Sequence, residues 1–272
     1  MWFLLLACSS PDSGPADSKG HTAEPGTVEL GATCPIEDRA GEVALWASGA
    51  DAYLSATLYN RPNPWYGPAT VANETCGYHH TDTAACGACE AGFVCGWSGD
   101  CDAEARVVTD VTLVVTADGV GQTFTPDGAT GQMWGVAGPI GAAYTLTLEV
   151  AGETIEVPGL ALAGELPDAV VTGTGDSMAP QSLDATWTAA TGRVRTTIPI
   201  NHHAGGPTFT RCDVDAATPG FHASAEMLQP LAVSTGLEFQ GIEHTQGAAV
   251  TTDAGCIDIR LGVQQYVGVI WE

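Results

Sequence analysis

Cys86, Cys89, Cys95 and Cys101 stand close together in the chain, and thiols at such spacing either bind zinc or oxidise to disulfides. The Cys-x2-Cys step suits half of a tetrahedral zinc site, but no second Cys-x2-Cys follows. The interleaved Gly87, Gly92, Gly96 and Gly99 suit a backbone that turns tightly around cross-links. The cluster therefore reads as a disulfide knot, with Cys86–Cys95 and Cys89–Cys101 as the expected pairs. Six of the seven histidines are His79-His80, His202-His203, His222 and His244. Neutral imidazole ligates zinc, copper and nickel. His79, His80, His202 and His203 are thus a candidate divalent-metal set, which Asp82, Asp213, Asp215 and Glu243 could complete. Neighbours in an extended strand point to opposite faces, so each pair offers one ion at most one ligand. The competing reading is that these histidines hydrogen-bond in loops and cap strand ends.

Nucleophilic chemistry finds less support. Gly175-Asp176-Ser177-Met178-Ala179-Pro180 resembles the Ser-Met-x-Pro motif of bacterial signal peptidases, whose serine needs a deprotonated lysine. Lys19 is the only lysine and lies far upstream, and serine is a weak nucleophile without an adjacent base. The chain has no Gly-x-Ser-x-Gly elbow, no phosphate-binding loop and no dinucleotide fingerprint. The expectation is a protein that is not an enzyme.

The stretch Leu5-Leu6-Ala7-Cys8, after Met1, Trp2, Phe3 and Leu4, resembles the lipobox of bacterial lipoproteins. The resemblance implies that Cys8 carries lipid and that residues 1–7 are a signal removed on processing. None of those seven residues is basic, a departure from the usual positive n-region. Residues 8–28 are rich in Ser, Pro, Gly and Asp and too poor in apolar side chains to fold, so they read as a disordered tether. No other run approaches the ~20 apolar residues of a spanning helix. The expected location is therefore the outer membrane, with the lipid as the membrane contact and the body facing the periplasm or the cell surface.

With 32 acidic and 8 basic residues among 272, the net charge is −24. Such a body repels nucleic acid, which excludes a DNA- or RNA-binding role. Eight cysteines remain beside Cys8: Cys34, Cys76, Cys86, Cys89, Cys95, Cys101, Cys212 and Cys256. An even number in an exported chain reads as four disulfides. Cys212 and Cys256, the only cysteines beyond Cys101, are expected to bond each other.

The elements that must carry these residues are strands. Tyr144, Leu146, Leu148 and Val150 alternate with Thr145, Thr147 and Glu149, the period of a half-buried strand. The same period marks Thr109 to Val115, Ser182 to Trp187, Val194 to Ile200 and Ile257 to Val263, with further strands at Glu42 to Ser48, Ala52 to Tyr59 and Tyr266 to Trp271. One short helix is expected after Ser224, ending before Pro230. Many short strands with Gly/Pro punctuation predict an all-β chain of β-sandwich units, immunoglobulin-like or related, behind an amino-terminal disulfide-rich segment. The expected segments are 29–102, cysteine-rich, then sandwich regions at 103–178 and 179–272. The Trp-bearing run Ser182 to Ile200, the run Ile198 to Cys212, the cysteine cluster and the acidic tether resemble myxobacterial-type cell-envelope lipoproteins. That resemblance implies an anchored sandwich protein and attaches no activity to it. The functional expectation is a non-enzymatic binding or structural role. A protein or glycan ligand is the candidate partner; exposed aromatics of the Trp65-Tyr66 loop could contact sugars, although apolar packing under that loop is the more common outcome. The metal-binding lipoprotein is the second reading and an envelope hydrolase the last.

Overall fold

A computed structural model describes residues 24–82, 85–150, 152–199, 208–231 and 237–272. The chain runs through strands β1 (Val28–Leu30), β2 (Arg39–Ser48), β3 (Asp51–Leu58), β4 (Val71–Ala72) and β5 (Cys76–His79). A small hairpin, β6 (Phe93–Cys95) and β7 (Cys101–Ala103), follows. Next come β8 (Val111–Ala117), β9 (Val120–Phe124), β10 (Met133–Pro139), β11 (Ala143–Val150) and β12 (Glu153–Ala161). The remainder is β13 (Val170–Asp176), β14 (Ala179–Thr186), β15 (Arg193–Pro199), β16 (Phe209–Asp215), β17 (Gly220–Ala223), the short helix α1 (Ala225–Leu228), β18 (Phe239–Thr252) and β19 (Gly255–Trp271). The fold is all-β, as the alternation requires.

Two hydrophobic cores organise it. In the first, the four-stranded sheet β12-β11-β8-β9 packs on a larger sheet whose order includes β10-β3-β2-β19-β18. Leu113, Val115, Leu146 and Leu148 meet Leu45, Leu54, Ile259 and Leu261 between these layers. In the second, β18-β15-β16-β5 and β19-β13-β14-β17 enclose Val171, Leu183, Ile198, Phe221 and Ile242, with Met227 and Leu228 of α1. One feature serves both cores. The β18–β19 hairpin pairs residue for residue from Phe239↔Gly268 to Thr252↔Gly255. At 14 and 17 residues its strands are far longer than the usual 5–6. The expected strands Ile257 to Val263 and Tyr266 to Trp271 are thus one continuous β19. Its first half faces the first core, and Val267, Val269 and Trp271 pack against the second.

Sheet neighbours ignore sequence order. β2 lies parallel to β19, with Leu45 opposite Leu261, and β5 lies beside β16. The segments 29–102, 103–178 and 179–272 therefore each supply strands to a common assembly. The amino-terminal boundary also differs from expectation. Gly26 N donates to Thr251 O at 2.8 Å, and Val28 opens β1 against Val250. Residues 24–28 thus lie along β18, while residues 8–23 of the expected tether fall outside the described residues.

The disulfides carry the main correction. Cys86–Cys95 and Cys89–Cys101 close the small knot, but Cys212 does not bond Cys256. Cys212 bonds Cys76, and Cys256 bonds Cys34. The reason is register. Cys212 sits directly opposite Cys76 on adjacent antiparallel strands, with 4.0 Å between Cα atoms. β18 and β15 separate β16 from β19. The Cys34–Cys256 bond spans 222 positions and pins the segment before β2 to the start of β19. Non-reducing peptide mapping should return Cys34–Cys256 and Cys76–Cys212. Replacing Cys76 and Cys212 together by Ala should cost about 4–5 kcal/mol in denaturant unfolding, the chain-entropy value for a loop of this size. A Cys212–Cys256 peptide would refute the register.

Candidate functional site

The hairpin strand β19 shows how the site arises. Ile257, Ile259 and Leu261 fill the first core, so Asp258 and Arg260 between them must face the opposite side of the sheet, where they too are buried. The same alternation on β15 puts Val194 and Ile198 in the second core and turns Arg193 and Arg195 the other way. On β16, Cys212 and Val214 go inward, leaving Arg211 and Asp213 on that outer face. β2 reaches it through an irregularity. Its pairing with β19 slips between Cys256 and Ile257, a bulge that brings Arg39 to the side of Glu42. Glu243 of β18 faces there too, opposite Arg195 in register.

Five of the chain's seven arginines thus meet four carboxylates on the outer face of one sheet. Asp258, whose side chain is 0% exposed, lies 2.7 Å from Arg195 Nη1 and 3.1 Å from Arg39 Nη2. It also accepts the Cys34 backbone N–H at 3.3 Å. Asp213 accepts from Arg195 Nε at 2.8 Å and from Arg193 Nη2 at 2.8 Å. Arg260 pairs with Glu42 and Glu243, and its guanidinium lies 5.3 Å from the centre of the Trp46 ring.

These pairings set the ionisation. Burial alone would raise the Asp258 pKa, but Arg195 and Arg39 outweigh it and hold the carboxyl well below its ordinary range. Burial opposes the charge on Asp213 as well, and Arg195, Arg211 and Arg193 more than reverse it. Burial would lower the Arg195 pKa, but Asp258 and Asp213 raise it. Arg211 is the exception. Burial lowers its pKa, and the nearby Arg195 and Arg39 lower it further, against Asp213 and Asp258. A guanidinium starts high enough to stay protonated even so. The Arg211 charge therefore persists at a cost in stability.

Above the charges lies a cavity of about 490 Å³. Its floor is formed by Arg39, Arg195, Arg211 and Arg260, with Glu42 and Glu243 on the wall. Ile36, from the segment tied down by Cys34–Cys256, and Tyr66, from the Trp65-Tyr66 loop, line it as well. Tyr66 meets Phe209 edge-on at 5.8 Å, and burial raises its pKa, with Tyr59 adding to the rise. Ser55, Thr57 and Thr197 bring hydroxyls to the lining.

Little of this site was named by the sequence. Trp65 is exposed, at 42%, while its neighbour Tyr66 packs on Phe209 and belongs to the cavity. His79 Nδ1 bonds Gly67 O at 2.9 Å and its ring stacks on Phe209, whereas His80 Nδ1 bonds Thr208 Oγ1 at 3.0 Å. The two rings thus have separate partners, and burial lowers the His79 pKa. His202, His203 and Cys8 lie outside the described residues. Of the acids considered for a metal, Asp213 and Glu243 are engaged by arginines, and Asp215 Oδ1 accepts from Ala217 N at 2.9 Å. Among the described residues one group has metal-ligand atoms close enough together, Cys86, Cys89 and Cys101. Their sulfurs are spent in Cys86–Cys95 and Cys89–Cys101. Ser177 sits in the turn between β13 and β14, where Asp176 Oδ1 accepts from Met178 N and Ala179 N. An Asp184–His222 pair at 2.7 Å is exposed on another face. The signal that points to the arginines is the i, i+2 pairing of charges inside strand patterns: Arg193/Arg195, Arg211/Asp213 and Asp258/Arg260.

No protein-family model matches the chain, and no curated protein matches it. Among solved structures it is similar to the crystal structure of chicken CNTN1 FN1-FN3 domains, at 8% identity and a TM-score of 0.19 over 84% of this chain. The chain spans 65% of that chain's length. At that score the likeness supplies no counterpart for the arginine cavity.

The buried network makes a pH prediction. Asp258 and Asp213 have folded pKa values below their unfolded ones, near ~3.9. Their contribution to stability is therefore complete above that value and is lost as pH falls toward the depressed values. Asp258→Asn should cost about 3–5 kcal/mol at neutral pH, since it strands two buried guanidinium groups. Denaturant midpoints measured from pH 6 to pH 2 should fall more steeply for the wild type than for Asp258→Asn; parallel curves would show that Asp258 does not titrate in this way.

Proposed function

We propose that this protein is a lipid-anchored cell-envelope protein with a non-enzymatic binding role, exercised through the arginine cavity. The all-β architecture is compatible with a binding or structural role, and among the described residues no helix is long and apolar enough to cross a membrane. The single observation that carries the binding reading is the cavity. Four guanidinium groups line a recess of about 490 Å³ in a chain of net charge −24. Its volume is that of small-ligand sites, ≈ 300–1,000 Å³, and such sites combine apolar walls with a few convergent polar groups. Here Ile36, Tyr66 and Phe209 are the walls. Nucleic acid does not suit this site. The positive charge is recessed, and the acidic body around it repels a polyanion.

The anchor reading rests on Cys8 in Leu5-Leu6-Ala7-Cys8 and on the polar stretch that follows it. The lipid would hold the body at the outer membrane while the cavity stays open to solute. Two measurements test the proposal. Cys8→Ser should move the protein out of the membrane fraction or leave it unprocessed; a mature-sized variant still extracted only by detergent argues against lipidation. A thermal-shift panel of small organic anions and their neutral analogues should contain at least one anion that stabilises the purified protein. Saturation at 100-fold over Kd corresponds to roughly 5–10 °C for a chain of this size. A flat response across the panel would count against the cavity as a binding site.

A further inference from the structure

We infer that the group the cavity receives is a single carboxylate carried on a sugar ring, a uronic-acid type of ligand, and that Arg211 is the residue that takes it. The inference rests on the binding reading above and specifies its chemistry.

Among the ion-paired groups, Arg39, Arg193, Arg195, Arg211 and Arg260 stand against Glu42, Asp213, Glu243 and Asp258, five against four; Glu37 and Glu74 line a neighbouring recess with Arg193 and Arg211, without an ion pair to either among the described residues. The surplus has an address. Asp258 is engaged by Arg39 and Arg195, Asp213 by Arg193 and Arg195, and both glutamates by Arg260. Among the described residues Arg211 pairs only with Asp213, at 3.8 Å, beyond hydrogen-bond range. Its side chain is 11% exposed, and it lines the cavity. A buried guanidinium with so little compensation is costly, and a ligand anion is what relieves it. Unpaired nitrogens lie behind the lining, closed off from the cavity space. Arg39 Nε, Arg195 Nη2 and Arg260 Nε are buried without a hydrogen-bond partner among the described residues. Arg195 Nη2 lies 2.7 Å from Asp213 Oδ2, but not in line for a hydrogen bond.

The wall decides the charge of the ligand. Glu42 and Glu243 face the same space, so a phosphate dianion would gain at Arg211 and lose against them. A monoanion balances the one surplus charge and meets less repulsion. Guanidinium forks match the planar carboxylate bidentately. The rest of the lining suits a sugar ring better than an alkyl or aryl body. Tyr66 and Phe209 offer ring faces and edges, while Ser55, Thr57, Thr197 and Asn63 offer hydroxyl and amide partners. A purely apolar acid would leave those polar groups unpaired, which costs affinity.

Titration calorimetry of the full mature protein with D-glucuronate tests this, with D-glucose as the neutral control, glucose 6-phosphate as the dianion and benzoate as the apolar acid. Glucuronate should bind, and each of the other three should bind roughly 10- to 100-fold more weakly, the worth of one charged hydrogen-bonded contact. Arg211→Gln should lose a similar factor for glucuronate. Without ligand, Arg211→Gln should melt at the same temperature as the wild type or higher, which a merely structural arginine would not do. Should Arg211→Gln fail to fold, the wild-type preference for glucuronate over glucose still decides the carboxylate. Tighter binding of glucose 6-phosphate or benzoate would overturn the ligand class and leave the cavity a binding site. Silence with all four compounds would overturn the inference, and silence across the wider anion panel would overturn the binding reading with it. Equal glucuronate affinity in Arg211→Gln would overturn the role of Arg211.

Discussion

The carboxylate of Asp258 is the point on which the outer face of the sheet depends. It is fully buried, and a buried anion is tolerated only with partners close at hand. Those partners come from Arg39, Arg195 and the backbone of Cys34. They lie on the segment before β2, on β2 itself and on β15, so a single charge fixes the relation of chain regions more than 200 positions apart. Buried ion pairs add little net stability over well-packed apolar groups, and their best-attested use is specificity of register. That use fits here. A one-residue slip of β19 would turn Asp258 and Arg260 into the apolar core and Ile257 and Ile259 into the charged layer.

From that requirement follows an arrangement unlike an ordinary sandwich exterior. An outer sheet face normally meets water, which satisfies its polar groups. Here Ile36 and Tyr66 share the recess with the guanidinium groups, most of which are buried, so the arginines are neither solvated nor all paired. Fully satisfied polar networks rigidify a structure, while partly satisfied ones are expensive. The expense is concentrated at Arg211 and at three stranded nitrogens around one cavity. Local violations of good packing chemistry at a single recess are the usual mark of a functional site.

How much of this could be read in the sequence differs from element to element. Tyr144 to Val150 alternates so regularly that β11 and its partner-facing side were evident, and the helix after Ser224 appears where Pro230 must stop it. The crowding of cysteines between 86 and 101 likewise indicated a local knot. Alternation tells which side chains share a face, but it does not tell which strand lies alongside. The pairings β2 with β19 and β16 with β5 are chosen by tertiary packing, and hence Cys212 finds Cys76. The assumption that carboxy-terminal cysteines pair within a contiguous domain fails for the same reason. The arginine site was hidden behind composition. A chain of net charge −24 suggests an acidic surface everywhere, although the charges Arg193/Arg195, Arg211/Asp213 and Asp258/Arg260 fall at i, i+2 positions in strands and so share a sheet face within each strand.

The shared hairpin explains why such a costly recess can persist. Glu243, Asp258 and Arg260 belong to β18 and β19, whose opposite face is locked into both cores by Ile242, Ala248, Ile259 and Leu261. Displacing any of the three charged residues toward a more comfortable pairing would open one core or the other. Arg195 and Arg211 are held in the same way by Val194, Ile198 and Cys212 on the reverse of their strands. The charged groups therefore cannot relax into mutual compensation, and Arg211 keeps its place on the cavity lining. A site that is rigid before binding loses little conformational entropy when it is filled. Rigid elements also position binding groups better than loops do. The cost of burying Arg211 is thus borne by two cores rather than one.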